Sequence, residues 1–472
     1  MKFLPTRWFV PSVMGLLCGL LFTCAELPSI PDPPVVDPPK DRCADIKDPA
    51  KKCNCLQEGS YIPDEIVLVF EDPLCDRRPE VLDDLIQGGN TVVEICNERV
   101  VLMKMTGIDP EAQYQTAKQK MEDEGEGWAG RNFTLALEPS ENFSFTSFPP
   151  DTIPEYDQNQ RPANSVTVAV VDMGVQINHP QFASHLWFNP YEQMPPGTFG
   201  IDDPGDGNEF IDDVAGFNFR MNRGDRMGDA SGHGTHVSGI IALDKAATAT
   251  GEDYQNKSML ELMMLTIADQ SDGASDLKSA MCAITYAIDN GADIINCSWG
   301  YYADEPDAAL QGLMEQAKER DIIVVTSAGN AGVNTDSCHH WPSGFSDQKE
   351  YNTSVVSVAA LDPSLKSLWT TSNNGSNFGV NSVTIAALGQ DVNSLIPYPI
   401  GSSSPTCALN TGTSMAAPYV SRFLAIQVIN GYIDPTVADW MGRLNTESHN
   451  LNGLPVGIGQ LKDDYLYELK CP

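Results

Sequence analysis

The run SVTVAVVD, Ser165 to Asp172, constrains the fold more than any other stretch of the chain. It is continuously apolar and rich in β-branched residues, which suits a strand buried on both faces within a parallel sheet flanked by helices. The run ends in a carboxylate. In such sheets the carboxyl ends of the strands open into a crevice where ligands gather, so Asp172 is placed where an α/β protein does its chemistry. Taken alone, it would serve equally well as a helix cap or as the acceptor of a backbone N–H.

Two further segments supply complementary groups. In SGHGTHVSGIIAL, Gly232 and Gly234 flank His233, and a helix begins just after it. In GTSMAAPYVSRFLAIQVI, Gly412 permits a tight turn and the helical pattern starts at Met415. That puts Ser414 at a helix N-terminus, among unpaired N–H groups and the positive end of the dipole. Pro418 is expected in the first turn of this helix, where a missing N–H costs little, and Ala416 and Ala417 keep the helix slim enough to pack on a sheet. A serine in such a position is ordinarily only an N-cap, and an isolated histidine is ordinarily a plain polar residue. A serine hydroxyl becomes a nucleophile only beside a base and a site for the developing oxyanion. The order Asp, His, Ser offers an acid, a base and a nucleophile together.

These segments resemble the signature blocks of the subtilisin family of serine peptidases, and the resemblance runs from about Ser165 to about Ile429. Two more blocks fall between His233 and Ser414. INCSWG, Ile295 to Gly300, is similar to the strand forming one wall of the substrate cleft, and VVTSAGNAG, Val324 to Gly332, to the strand and loop carrying the oxyanion asparagine. The resemblance implies an α/β fold, a subtilisin-like three-layer sandwich with a mainly parallel central sheet. It implies that Asp172, His233 and Ser414 are catalytic, that Asn330 donates to the oxyanion, and that Ser298, Trp299, Gly300, Ala328 and Gly329 bound the substrate pocket. His236 is then a packing residue. A metal reading of His233 and His236 finds no H-E-x-x-H pattern or ligand cluster to support it. No carboxylate stands immediately beside Asn330, where Ala331 follows, so apolar or aromatic P1 side chains are expected over basic ones.

The chain departs from the family pattern in places. Met173 follows the aspartate where Thr or Ser is usual, removing a hydroxyl that commonly holds the carboxylate; Tyr419 replaces a frequent His, and Leu388 a frequent Pro. The segment after the histidine helix does not match the usual calcium loop. The chemistry itself needs no cofactor. A separate structural Ca²⁺ site is suggested by GIDDPGDGNEFIDDVAGFNF, where Asp202, Asp203, Asp206, Asn208, Asp212 and Asp213, with Glu209 nearby, offer hard oxygen ligands in a Gly-rich turn. A solvated acidic loop is the alternative.

The remaining sequence reads as appendages to this body. Residues 1–23 combine Lys2 and Arg7 with a short apolar stretch, as in a secretory signal, and residues 21–24 resemble a bacterial lipoprotein box that would make Cys24 a lipidated N-terminus. An ordinary signal peptide is the alternative. Residues 24–58 read as a Pro-rich tether. Residues 59–139 show strand signals at Glu65–Phe70, Thr91–Cys96 and Arg99–Met105, two helix signals, and a closing RNFTLALEP, in the order β-α-β-β-α-β. That is a small α+β, ferredoxin-like unit, resembling subtilisin propeptides in position and topology and expected to act as folding aid and intramolecular inhibitor; a constitutive accessory domain is the alternative. Residues 140–164 form a linker suited to self-cleavage, and the catalytic domain runs over 165–472.

Composition and length agree with a large exported enzyme, in the cell envelope or outside the cell, and the resemblance implies protein or peptide substrates. A formal charge of −35 over 472 residues repels nucleic acid and anionic membrane surfaces. The rival reading is a catalytically silent surface lipoprotein of the same fold that acts in binding. Setting aside Cys18 and Cys24, ten of the twelve cysteines remain, five before the catalytic domain and five within it. Each set is odd, so neither can pair fully within itself. Cys338 and Cys407 are the expected bridge, and Cys282 and Cys297 are expected to pack as small apolar groups. Feeding a clickable palmitate analogue to expressing cells should label the protein, and Cys24→Ala should abolish the label; equal labelling of both would exclude the anchor.

Overall fold

The computed structural model describes residues 43, 46–57, 61–72, 74, 80–96, 99–106, 109–135, 165–189, 210, 213–224, 227–242, 259–269, 273–397, 406–449, 454, 456–457 and 459–462. The signal and lipoprotein segments and the linker expected to be cleaved lie outside these residues. Among the described residues no helix is long and apolar enough to cross a membrane.

The N-terminal unit comprises α1 (Pro49–Gln57), β1 (Tyr61–Phe70), α2 (Glu80–Gln87), β2 (Thr91–Cys96), β3 (Val100–Lys104), α3 (Pro110–Glu124) and β4 (Gly127–Phe133). Its sheet has the order β2-β3-β1-β4, and the pairs β1–β3, β1–β4 and β2–β3 are antiparallel. The β-α-β-β-α-β order expected from the sequence is present, with the closing strand beginning earlier, at Gly127, and sharing only Arg131–Phe133 with the RNFTLALEP segment. Asp109 caps α3 by accepting the Ala112 N–H at 3.1 Å, and Gly125 ends it in the left-handed region at φ +64°.

Both faces of this sheet are apolar and both are covered. Ile66, Leu68, Phe70, Val101 and Met103 face α2 and α3, packing with Val81, Leu85, Tyr114 and Met121. The alternate residues, Val67, Val69, Val100, Leu102 and Phe133, join a second core with α5 (Leu277–Asp289) and α6 (Ala308–Glu319) of the following domain. The two-residue period of a strand thus divides one short sequence between two cores.

The larger body adds β5 (Val166–Asp172), β6 (Gly216–Asn218), α4 (His233–Ala242), β7 (Leu260–Thr266), β8 (Ile294–Cys297), β9 (Tyr301–Tyr302), β10 (Ile323–Ser327), β11 (His340–Trp341), β12 (Val355–Leu361), β13 (Ile385–Leu388), β14 (Val392–Ile396), β15 (Thr406–Asn410), α7 (Thr413–Ile429), α8 (Val437–Thr446), β16 (Ser448–His449) and β17 (Gln460–Leu461). Its sheet runs β16-β17-β13-β12-β10-β8-β5-β7-β6, parallel from β17 to β6, with β16 antiparallel at the edge. This is the expected α/β sandwich. Every residue of β5 is buried, with Val168 and Val170 facing the α4 and α7 side and Ala169 and Val171 facing the α5 and α6 side.

The segment 24–58 is not wholly a tether. Residues 49–57 form α1, closed by a Cys43–Cys55 disulfide and docked on the larger body. Lys52 Nζ donates to the carbonyls of Ala331 at 2.5 Å and Asn373 at 3.0 Å. Cysteine pairing also differs from expectation. Cys338 pairs with Cys53, and Cys282 with Cys96; Cys407 is disulfide-bonded elsewhere, while Cys297 is free and buried, as expected. The sequence pattern could not reveal these pairs, because partners separated by most of a domain meet only after docking.

Docking of the N-terminal sheet depends on close approach at α6. A Cβ on Gly312 would overlap the indole of Trp128 on β4. Gly312→Val should therefore destabilise the protein by about 1–3 kcal/mol through overpacking; an unchanged melting temperature in calorimetry would contradict this packing.

Candidate active site

The site is assembled from one strand end and two helix starts on the carboxyl side of the parallel sheet. Asp172 is the last residue of β5 and is 2 % exposed. Its Oδ1 accepts the Met173 N–H at 2.7 Å and the Nδ1–H of His233 at 2.6 Å. Since a carboxylate can only accept, this contact fixes the proton on Nδ1 and directs Nε2 away from Asp172. The missing hydroxyl at Met173 has a visible counterpart: Asp172 Oδ2 is buried and has no hydrogen-bond donor among the described residues.

His233 opens α4, and its position is set by Asp229, which sequence reading did not single out. Asp229 is fully buried, and its Oδ2 accepts the Thr235 N–H at 2.8 Å while its Oδ1 accepts the Ser231 hydroxyl at 2.9 Å. Ser231 Oγ in turn accepts the His233 N–H at 3.1 Å. Together these groups satisfy N–H donors that a helix start leaves open. Burial pushes the Asp229 carboxyl up from its usual range, partly opposed by the hydrogen bonds from Thr235. The acid just before S-G-H-G was the available signal, of the kind that marks a helix cap. Gly234 is needed for close approach, because a Cβ there would overlap the Gly174 carbonyl and come within 3.1 Å of Asp172 Oδ1.

His236 plays the packing role expected of it. Its Nε2 lies 3.0 Å from the Val392 carbonyl and 3.1 Å from the Ala408 carbonyl, and burial, against the effect of those carbonyls, lowers its pKa to about 4. It is a neutral donor joining α4 to the β14–β15 hairpin.

Ser414 is the second residue of α7, and α7 packs against α4, the helix that His233 opens. Pro418 lies inside the helix rather than in its first turn. The N–H it lacks would have bonded the Ser414 carbonyl four residues earlier. Ser298 takes over that bond, its Oγ donating to the Ser414 carbonyl at 3.0 Å. The Ser414 hydroxyl donates to the Ser298 carbonyl at 3.1 Å, so these two residues are joined twice.

Asn330 follows β10 and is locked in orientation by Thr413. Its Oδ1 accepts the Thr413 N–H at 2.8 Å and the Thr413 hydroxyl at 2.9 Å, and Thr413 Oγ1 accepts the Gly329 N–H at 3.0 Å. With the amide oxygen occupied, Nδ2 is the donor that Asn330 can turn toward a substrate oxygen. Thr413 is a second residue missed in the sequence, where it reads only as the position before the serine.

The proposed pocket residues divide by exposure. Ser298, Trp299, Gly300 and Ala328 are buried and form the backing of the wall, whereas Gly329 is partly exposed. Between the two glycines lies His340: a Cβ on Gly300 would overlap its imidazole, and one on Gly329 would approach Asn377 Nδ2, the Tyr302 hydroxyl at 2.9 Å and His340 at 3.1 Å. Burial lowers the His340 pKa to about 3, so the ring is neutral. Of the proposed calcium ligands, Asp202, Asp203, Asp206, Asn208 and Asp212 lie outside the described residues. Asp213 is buried and accepts from Asn189 Nδ2 at 3.1 Å and from the Tyr286 hydroxyl at 2.6 Å. Among the described residues no group of three or more His, Cys, Asp or Glu side chains could hold a metal ion.

Asp229→Ala strips acceptors from the Thr235 N–H and the Ser231 hydroxyl. The expected loss of stability is about 1–3 kcal/mol for the unsatisfied donor, accompanied by reduced reactivity of Ser414; a variant with unchanged melting and unchanged reactivity would show that Asp229 does not position His233.

The arrangement has counterparts among known proteins. A family model described as the subtilase family matches residues 163–443. Subtilisin-like protease 1 of Plasmodium falciparum is 28 % identical over 287 residues, covering 57 % of this chain but only 38 % of that protein. The thermophilic serine proteinase of Bacillus sp. strain AK1 is 24 % identical over 390 residues, covering 79 % of this chain and 80 % of its own. Among solved structures, fervidolysin from Fervidobacterium pennivorans shares the fold with a TM-score of 0.55 and 20 % identity, over 87 % of this chain and 62 % of that one. The family match takes in the strand ending at Asp172, the helix starts at His233 and Ser414, and the Asn330 loop, and the chain belongs to the subtilase family.

Proposed function

We propose that the protein is an exported serine endopeptidase, made as a zymogen and acting through Asp172, His233 and Ser414. The observation that carries this reading is the 2.6 Å hydrogen bond from His233 to Asp172, made on a histidine whose helix packs against the helix that carries Ser414 in its first turn. His233 takes the proton of Ser414 as the hydroxyl attacks a peptide carbonyl and returns it to the leaving amine; Asp172 holds the imidazole tautomer and stabilises its charged form. The oxyanion is met by Nδ2 of Asn330 and the N–H of Ser414. Water then releases the acyl group. The signal-like start supports export, and the docked α+β unit supports a role as folding aid and intramolecular inhibitor.

The groups packed behind Gly300 and Gly329, the neutral His340 ring, the Tyr302 hydroxyl and the Asn377 amide, carry no charge, which supports apolar or aromatic P1 side chains over basic ones. A fluorophosphonate probe should label the wild type and not Ser414→Ala, and Asn330→Ala should lower kcat by about a hundred- to a thousand-fold. Absence of labelling in folded, processed wild type would favour the silent binding protein. In the same preparation, a peptide-library digest cut mainly after Arg or Lys would reverse the P1 assignment.

A further inference from the structure

Among the described residues, the parts of the chain on either side of the linker 140–164 are joined by two disulfides, Cys53–Cys338 and Cys96–Cys282. Any single cut within that linker leaves Cys53 and Cys96 on one fragment and Cys282 and Cys338 on the other. Hydrolysis there breaks the backbone but not the link. We propose that the N-terminal region is not shed when the zymogen is processed, and that the working enzyme is a two-chain molecule whose light chain stays attached through these two bridges. This builds on the zymogen reading but concerns the fate of the N-terminal region after the cut.

The surroundings of both bridges are those of a permanent interface. Cys96 ends β2 and Cys282 lies within α5, fully buried. Around them, Lys278 on α5 is 1 % exposed and its Nζ pairs with Glu94 on β2 at 2.6 Å. Arg99, beside β3, pairs with Asp289 at 3.1 Å and donates to Gln316 at 2.5 Å. Departure of the light chain would break the Lys278–Glu94 pair and expose the apolar set Val67, Val69, Val100, Leu102 and Phe133, which is unfavourable.

The second bridge lies beside the loop that follows Asn330. Cys53 and Leu56 of α1 pack with Val333, Cys338, Tyr302 and Ala331, and Gln57 donates to Asp304 at 2.9 Å. Lys52 donates to the carbonyl of Ala331, the residue directly after Asn330. In the proposed molecule the light chain therefore supports the loop that carries the oxyanion donor. A shed propeptide would take this support with it.

The test does not depend on self-cleavage. A recognition sequence for a foreign site-specific protease is inserted between Glu138 and Asn164 of the full-length Ser414→Ala protein, which is cut and then unfolded in concentrated guanidinium chloride with a thiol-blocking reagent present. The two fragments should elute together as one species and separate only when a reductant is added before blocking. Removing Cys96 and Cys282 together should leave the fragments joined through Cys53–Cys338, and removing Cys53 and Cys338 together should leave them joined through Cys96–Cys282. Separation of the unsubstituted fragments without reductant would overturn the proposal. Failure of the serine-peptidase reading would instead show as absence of fluorophosphonate labelling in the wild type, which this experiment does not use.

Discussion

The structure depends on the burial of β5 on every side. With β7 and β8 as parallel neighbours and an apolar core on each face, this strand has no freedom of register, and its last residue is fixed relative to the whole sheet. Asp172 inherits that rigidity. The imidazole is held to it by a single short hydrogen bond, and the helix beneath the imidazole is held by Asp229. The serine is positioned from the other side, through a helix buried for most of its length and tied to the end of β8 by Ser298. Positioning of this kind, from separate elements of one rigid sheet, is what a preorganised site requires.

Much of this was legible in the chain itself. The strand ending at Asp172 and the helices starting at His233 and Ser414 are signalled by unbroken apolar runs and by glycines where backbones approach, which are local properties. Asp229, Thr413 and Ser298 act through hydrogen bonds to groups that include the Thr235 N–H, the Gly329 N–H and the Ser414 carbonyl, and for Thr413 and Ser298 those partners are distant in sequence. Pro418 was misplaced for a related reason. A proline inside a helix reads as an error until the donor that replaces its lost bond is seen, and that donor, Ser298, is distant in sequence.

The cysteines show where sequence reasoning stops. The odd count on each side of the linker already required that something remain unpaired or pair across the boundary, yet local polarity pointed to Cys338 with Cys407 and away from Cys282. Cys282 lies on the face of α5 that meets a second domain, so its apolar surroundings reflect an interface rather than an isolated core. The same holds for residues 49–57, whose proline-rich approach suggests a tether although the helix itself is docked and cross-linked. In both cases the deciding contacts belong to the fully assembled fold.

The double cross-link also changes how the covering of α5 and α6 responds to concentration. A unit held only by noncovalent contacts leaves its site at a rate that dilution makes irreversible. A unit held by Cys53–Cys338 and Cys96–Cys282 rebinds from a fixed local concentration, whatever the concentration of protein outside. The face formed by α5 and α6 thus remains covered in a dilute solution as fully as in a concentrated one.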